Sequence, residues 1–82
     1  MKIVMYTKED CSYCVKAKEL LKSQGKEYIE QTLEKDFTRP ALKAIFPNAK
    51  TFPVITIDNI YIGGYEELYE LLGDNIETRS RK

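Results

Sequence analysis

The only two cysteines of the chain stand three positions apart, in Cys11-Ser12-Tyr13-Cys14, just beyond the apolar run Ile3-Val4-Met5-Tyr6. A helical pattern begins at Ser12. On the first turn of a helix this spacing brings both sulfurs to one end, close enough to close a small disulfide ring. The unsatisfied N–H groups and the positive end of the helix dipole favour thiolate over thiol there. Cys11 is expected as the exposed first residue, with Cys14 pointing one turn inward. A structural zinc site needs four ligands, and a chain with no histidine and no second cysteine pair cannot supply them alone. The pair therefore reads as a thiol–disulfide redox centre, with no metal.

With 82 residues, the chain is expected to form one small domain over 1–82 around a single core. Its 13 basic and 13 acidic residues cancel, which speaks against nucleic acid or an anionic membrane as the main partner. No apolar run approaches the ~20 residues of a membrane span, and the N-terminus lacks a signal-peptide core. Two cysteines are too few for a secreted disulfide scaffold, so the cytoplasm is the expected compartment. Without histidine, the chemistry falls to thiols, carboxylates, lysines and tyrosines.

The consecutive apolar residues within Lys2–Thr7 predict a strand buried on both faces. Lys8, Glu9 and Asp10 form a loop, and Asp10 or Cys11 caps a helix over about 12–24. Cys14, Ala17, Leu20, Leu21 and Gln24 lie on or near its inner stripe, and Gly25 stops it. Residues 27–33 predict a second strand, parallel to the first through a right-handed crossover. A helix over about 38–46 follows, capped by Asp36 or Thr38, buried through Ala41, Leu42, Ile45 and Phe46, and ended by Pro47. Val54–Ile57, Asp58-Asn59 and Ile60–Ile62 predict a hairpin with a two-residue turn. Gly63-Gly64 breaks its second strand. A last helix is expected over about 65–72, with Glu66 and Glu67 in its first turn and Gly73 as its stop. Residues 74–82 read as a polar tail or a short helical extension. The expected class is α/β, in the order β-α-β-α-β-β-α, with a four-stranded mixed sheet and helices on both faces.

Tyr6-Thr7-Lys8-x-x-Cys11-x-Tyr13-Cys14, Thr51-Phe52-Pro53 and Gly63-Gly64, in this order, resemble a dithiol glutaredoxin. The resemblance covers nearly the whole chain up to about Leu72. It implies a thioredoxin-like fold with strands ordered 2-1-3-4 and the last antiparallel to its neighbour. It also implies a cis Phe52–Pro53 bond beside the cysteines, where a cysteine-containing peptide pairs with the Phe52 backbone as an added strand. The implied activity is glutathione-dependent thiol–disulfide exchange through a redox-active Cys11–Cys14 disulfide. Glutathione is then the co-substrate, with no tightly bound cofactor. Glutathionylated and disulfide-containing proteins are the implied partners, ribonucleotide reductase among the possible ones, and the protein is expected to act as a monomer.

Glutathione is an extended tripeptide with a carboxylate at each end and an ammonium at the γ-glutamyl end. Gly63-Gly64, entering a helix N-terminus, offers backbone N–H groups to one carboxylate, and glycine permits close approach. Lys8 reaches the other carboxylate, with Arg39 as an extra cation. Glu66 or Glu67 accepts the ammonium, and Tyr13 packs along the ligand. Thr51, Phe52, Pro53 and Tyr65 complete the expected site. Three positions depart from the common family pattern. Ser12 stands where proline is usual, which removes a fixed φ and adds a hydroxyl and an N–H. Phe52 replaces a smaller aliphatic residue. Tyr65-Glu66-Glu67 follows the glycines where a small residue and aspartates are frequent.

Two other readings share these residues. Some glutaredoxins with serine after the first cysteine bridge a [2Fe–2S] cluster between protomers, and here Cys11 and glutathione from each side would supply four ligands. A redoxin of the same fold, reduced by thioredoxin reductase without glutathione, is the second.

Overall fold

The structure is a computed structural model that describes residues 2–80, with side chains through Leu72. The elements are β1 (Ile3–Thr7), α1 (Ser12–Ser23), β2 (Ile29–Thr32), α2 (Arg39–Ile45), β3 (Val54–Ile57), β4 (Ile60–Gly63) and α3 (Tyr65–Ser80). They form one sheet in the order β2-β1-β3-β4. β1 pairs with β2 in parallel, whereas β1–β3 and β3–β4 are antiparallel. This is the expected β-α-β-α-β-β-α mixed sheet.

Period-2 alternation divides the sheet into two faces. Ile3, Met5 and Ile55 point to one face, where Ala17 and Leu21 of α1 and Leu68 and Leu72 of α3 close over them. Tyr6 and Val54 point to the other, against Leu42 of α2, Ala49 and the rings of Phe37, Phe46 and Phe52. β1 is accordingly buried completely on only one face. Val4 and Tyr6 remain half-buried, a correction to the expected two-sided burial, because the two-turn α2 screens less surface than α1 and α3 together.

The ends of the elements follow local chemistry. Gly25, at φ +68°, takes the left-handed conformation that ends α1 after the Gln24 cap. Thr38, not Asp36, caps α2, its hydroxyl accepting from the Ala41 N–H at 3.4 Å. Asp36 instead accepts the Thr32 N–H at 2.8 Å. Asp58 and Asn59 both have positive φ, at 52° and 69°, as a tight primed hairpin turn requires.

Three further expectations are corrected. β2 begins at Ile29, not residue 27, and as an edge strand it leaves Ile29 46 % exposed. Tyr28, which precedes it, still packs against the core. In α2 only Leu42 is buried; Ala41 is exposed and Ile45 is 64 % exposed. Phe46 contributes from the C-cap, so the inner face is one aliphatic residue and flanking aromatics. Gly73 does not stop α3, which continues to Ser80 as the alternative of a helical extension allowed. A glycine inside a helix costs about 1 kcal/mol relative to alanine and does not by itself end it. The expectation for residues 81 and 82 lies outside the described residues. No helix among the described residues is long and apolar enough to cross a membrane.

Candidate active site

The loop leaving β1 turns at Asp10, whose φ of +56° lies in the left-handed region, and delivers Cys11 in extended geometry to the N-cap of α1. The cap is a sulfur: Cys11 Sγ accepts the Cys14 N–H at 3.2 Å. The Cys11 carbonyl accepts the Val15 N–H, also at 3.2 Å, which fixes the first turn. Cys11 and Cys14 form a disulfide, with their Cα atoms 5.2 Å apart. The two sulfurs have unequal surroundings. Cys14 is 2 % exposed, whereas Cys11 is half-buried rather than fully exposed as expected.

The Thr51-Phe52-Pro53 segment comes from the other half of the chain. Its Phe52–Pro53 peptide bond is cis, and Pro53 is buried. A Cβ placed on Gly64 would lie 3.1 Å from the Pro53 carbonyl oxygen, so the start of α3 and this segment are in close backbone approach. Between them runs an open groove of about 400 Å³. It brings together Tyr13, Thr51, Phe52, Gly63, Gly64, Tyr65 and Glu66 of the expected site. Tyr13 stacks obliquely on Tyr65, centroids 5.9 Å apart, linking the first turns of α1 and α3.

The remaining expected residues lie around this groove. Lys8 lines a neighbouring hollow together with Cys11 and Cys14. Arg39 lines a smaller hollow behind Thr51 and Phe52. Phe52 joins the three regions: Lys8 Nζ lies 5.5 Å and the Arg39 guanidinium 5.7 Å from its ring centroid, within cation–π range.

Asn48, Lys50 and Tyr61 also line the groove and are absent from the expected site residues, and so does Glu67, expected only as the alternative to Glu66 for the ammonium. Glu67 left a sequence signal, because a carboxylate three residues after an N-cap completes a capping box. Its Oε1 accepts the Gly64 N–H at 2.8 Å, so one of the N–H groups expected to be free for a ligand is already bonded. The same side chain explains Gly63, whose φ is +123° and whose added Cβ would lie 2.7 Å from Glu67 Cγ, Cδ and Oε1. Lys50 adjoins Thr51 in sequence. Asn48 and Tyr61 reach the groove only through folding.

Glu30, which lines the same hollow as Lys8 and the two cysteines, accepts a hydrogen bond from the buried Thr7 hydroxyl at 2.7 Å and pairs with Lys18 at 3.0 Å. Partial burial pushes the Glu30 carboxyl up, as does the neighbouring Asp36 charge, but the Thr7 and Lys18 hydrogen bonds and the Lys18 charge outweigh them, leaving its pKa below the ordinary 4.5. Among the described residues no cluster of three or more histidine, cysteine, aspartate or glutamate side chains could hold a metal ion.

Sequence and structure comparisons agree with this geometry. The glutaredoxin family model matches residues 3–62. Glutaredoxin 1 of Rickettsia bellii is 42% identical over 73 residues, covering 84% of this chain and 74% of that protein. Glutaredoxin 3 of Escherichia coli is 36% identical over 69 residues, covering 84% and 83%. The crystal structure of glutaredoxin 1 from Francisella tularensis, complexed with cacodylate, superposes with a TM-score of 0.75 at 26% identity, covering 94% of this chain and 96% of that one. A cysteine pair on the first turn of α1, the thioredoxin-like sheet behind it and these matches together establish that the chain belongs to the glutaredoxin family of thiol–disulfide oxidoreductases.

Proposed function

We propose that this chain is a glutathione-dependent dithiol oxidoreductase, reducing glutathione mixed disulfides and protein disulfides. The observation that carries this reading is the unequal burial of two sulfurs on one helix turn, beside an open groove of about 400 Å³. Cys11 is the accessible sulfur, and the helix N-terminus and Lys8 stabilise it as a thiolate. It attacks the glutathione sulfur of a mixed disulfide, and the substrate thiolate leaves. A second glutathione thiolate then attacks the Cys11–glutathione bond, giving glutathione disulfide and free Cys11. For a protein disulfide, Cys14 displaces the substrate sulfur from Cys11, and glutathione later reduces the internal disulfide.

The groove residues suit the ligand's chemistry. Lys8 and Arg39 are cations for the glycyl carboxylate, and Tyr13 offers a packing face. Glu67 already holds the Gly64 N–H, so the γ-glutamyl carboxylate in this reading meets the next amides of the α3 first turn. Glu66 is then the acceptor for the ammonium. The backbone of Phe52, at the groove edge, docks the extended substrate segment. A reduction potential of roughly −200 to −230 mV, the glutaredoxin range, lets the glutathione pool of a reducing cytoplasm drive the cycle. The protein acts as a monomer with no resident cofactor, and ribonucleotide reductase is one candidate among its protein substrates.

The test is glutathione-dependent turnover of a small glutathione mixed disulfide by the purified protein. Turnover that saturates with the mixed disulfide supports the reading. Reduction of the Cys11–Cys14 disulfide by thioredoxin reductase alone, with no glutathione turnover, would overturn it. A coloured, dimeric protein from anaerobic purification would instead point to cluster carriage.

A further inference from the structure

Behind Thr51 and Phe52 lies a separate hollow of about 80 Å³. Its floor is apolar, made by the buried side chains of Leu42, Ala49 and Val54. Three cations surround it: Arg39 and Lys43 from α2, and Lys50 from the following loop. No acidic side chain lines it, and among the described residues none of the three cations forms an ion pair. In a chain of zero net charge this is a local excess of positive charge without its counter-charge.

Two of the cations are held in place. Lys43 Nζ donates to the Ala49 carbonyl at 3.5 Å, and the Arg39 guanidinium rests on the Phe52 ring. That ring stacks on Phe37 at 6.3 Å, and Phe37 meets Tyr6 of β1 edge-on at 5.4 Å, so the wall is anchored to the sheet. Mutual repulsion among gathered cations is relieved by an anion, and an apolar floor of this size accepts a carboxylate on a short methylene stem. Lys50, Thr51 and Phe52 line both this hollow and the larger groove. The two cavities thus adjoin at the Phe52 segment, where the substrate is proposed to dock.

We propose that this cationic hollow reads an acidic side chain adjacent to the attacked cysteine of a protein disulfide substrate. The inference rests on the strand-like docking at Phe52 put forward above and on the dithiol route; Arg39 is shared with the glycyl carboxylate of the glutathione reading, so the peptide test varies Lys43 and uses no glutathione. In that route the Cys11 thiolate attacks one peptide sulfur, the peptide S–S bond breaks, and the second peptide sulfur leaves as a thiolate. Cys14 then displaces the first peptide sulfur from Cys11, so two electrons pass from the dithiol to the peptide.

The experiment follows pre-reduced protein reacting with disulfide-looped peptides in glutathione-free buffer. Each peptide carries Glu or Gln next to the cysteine, on either side in turn. At low salt the Glu peptide should react about fivefold faster in one placement, and the advantage should shrink toward unity near 0.5 M salt, about where screening is nearly complete. Lys43→Gln should cut the advantage to about twofold while leaving the Gln peptide's rate unchanged, Lys43→Glu should invert it, and Lys43→Arg should restore it. Equal rates for Glu and Gln in both placements, or an acidic preference surviving in Lys43→Glu, would overturn the inference. Turnover of a small glutathione mixed disulfide is measured in parallel. Failure there with the acidic preference intact supports this inference and counts only against glutathione dependence.

Discussion

The two sides of the active site are built in different ways. On one side, β1, a short loop and the first turn of α1 place both sulfurs within a single stretch of twelve residues (3–14). On the other, the groove walls come from the loop before β3, the edge strand β4 and the start of α3, which meet only when the sheet closes. The first side needs a helix N-terminus and a cap to set its chemistry. The second needs the whole antiparallel half of the sheet. The cysteine pair thus rests on local geometry, and the proposed recognition groove rests on tertiary structure.

Exchanging the sulfurs tests that division most severely. Cys11→Ser should lower every thiol-transfer rate by about a thousandfold or more, since serine is a poor nucleophile with no histidine to activate it. Cys14→Ser should keep deglutathionylation, because glutathione can resolve the adduct, yet stall on protein disulfides as a covalent complex. Stopped-flow assays with both substrate types measure this contrast. A folded Cys14→Ser protein that fails on small glutathione mixed disulfides would remove the glutathione route from the mechanism.

Damage to the assembled side should appear first as lost stability. Gly63→Ala puts a side chain at φ +123° against the Glu67 carboxylate. The expected cost is about 1–3 kcal/mol, read as a lower midpoint in thermal or urea denaturation. A reaction of the Gly63→Ala thiols slowed as much as in Cys11→Ser would break the division between the two sides.

A gentler change separates binding from chemistry. Lys8→Ala should raise KM for glutathione substrates several-fold and alter the rate on a protein disulfide less. Lys8 lies between the two regions, so equal losses on both substrates would assign it to the thiolate alone.

The smallest effect belongs to the edge strand β2, beside the cysteine pair. Glu30 carries a folded-state pKa below its ordinary value. Its stabilising contribution is therefore complete above about pH 4.5 and lost as pH falls through the lower folded value. Glu30→Gln should be less stable than the parent by under about 1 kcal/mol at neutral pH, because the partly exposed pair with Lys18 is screened by solvent. The two proteins should converge in acid, which urea titrations at several pH values would show.

The same contrast explains what the sequence made legible. The cysteine pair, its helix and the Asp58-Asn59 turn are written in adjacent residues, and each stands where expected. The glycines at the start of α3 are visible too, but the sequence reading gives Glu67 to the helix dipole or the ammonium, whereas it caps the Gly64 N–H. Asn48 and Tyr61 carried no local signal, because β4 and the Pro47–Lys50 loop meet only across the folded sheet. The apolar residues of α2 misled for a related reason. Ile45 fits a helical stripe, yet a two-turn helix beside an aromatic cluster has room to bury only one aliphatic side chain. Gly73 misled because a helix end requires a favourable exit conformation as well as a weak helix former.

The cap of α1 has a further consequence. The atom that accepts the Cys14 N–H is Cys11 Sγ, the sulfur that in the proposed mechanism cycles between anion, mixed disulfide and internal disulfide. Its strength as an acceptor falls each time it loses negative charge. The amide proton of Cys14 is therefore a built-in gauge of oxidation state: its exchange with solvent and its nuclear resonance should change with every turn of the catalytic cycle, with no label attached to the protein.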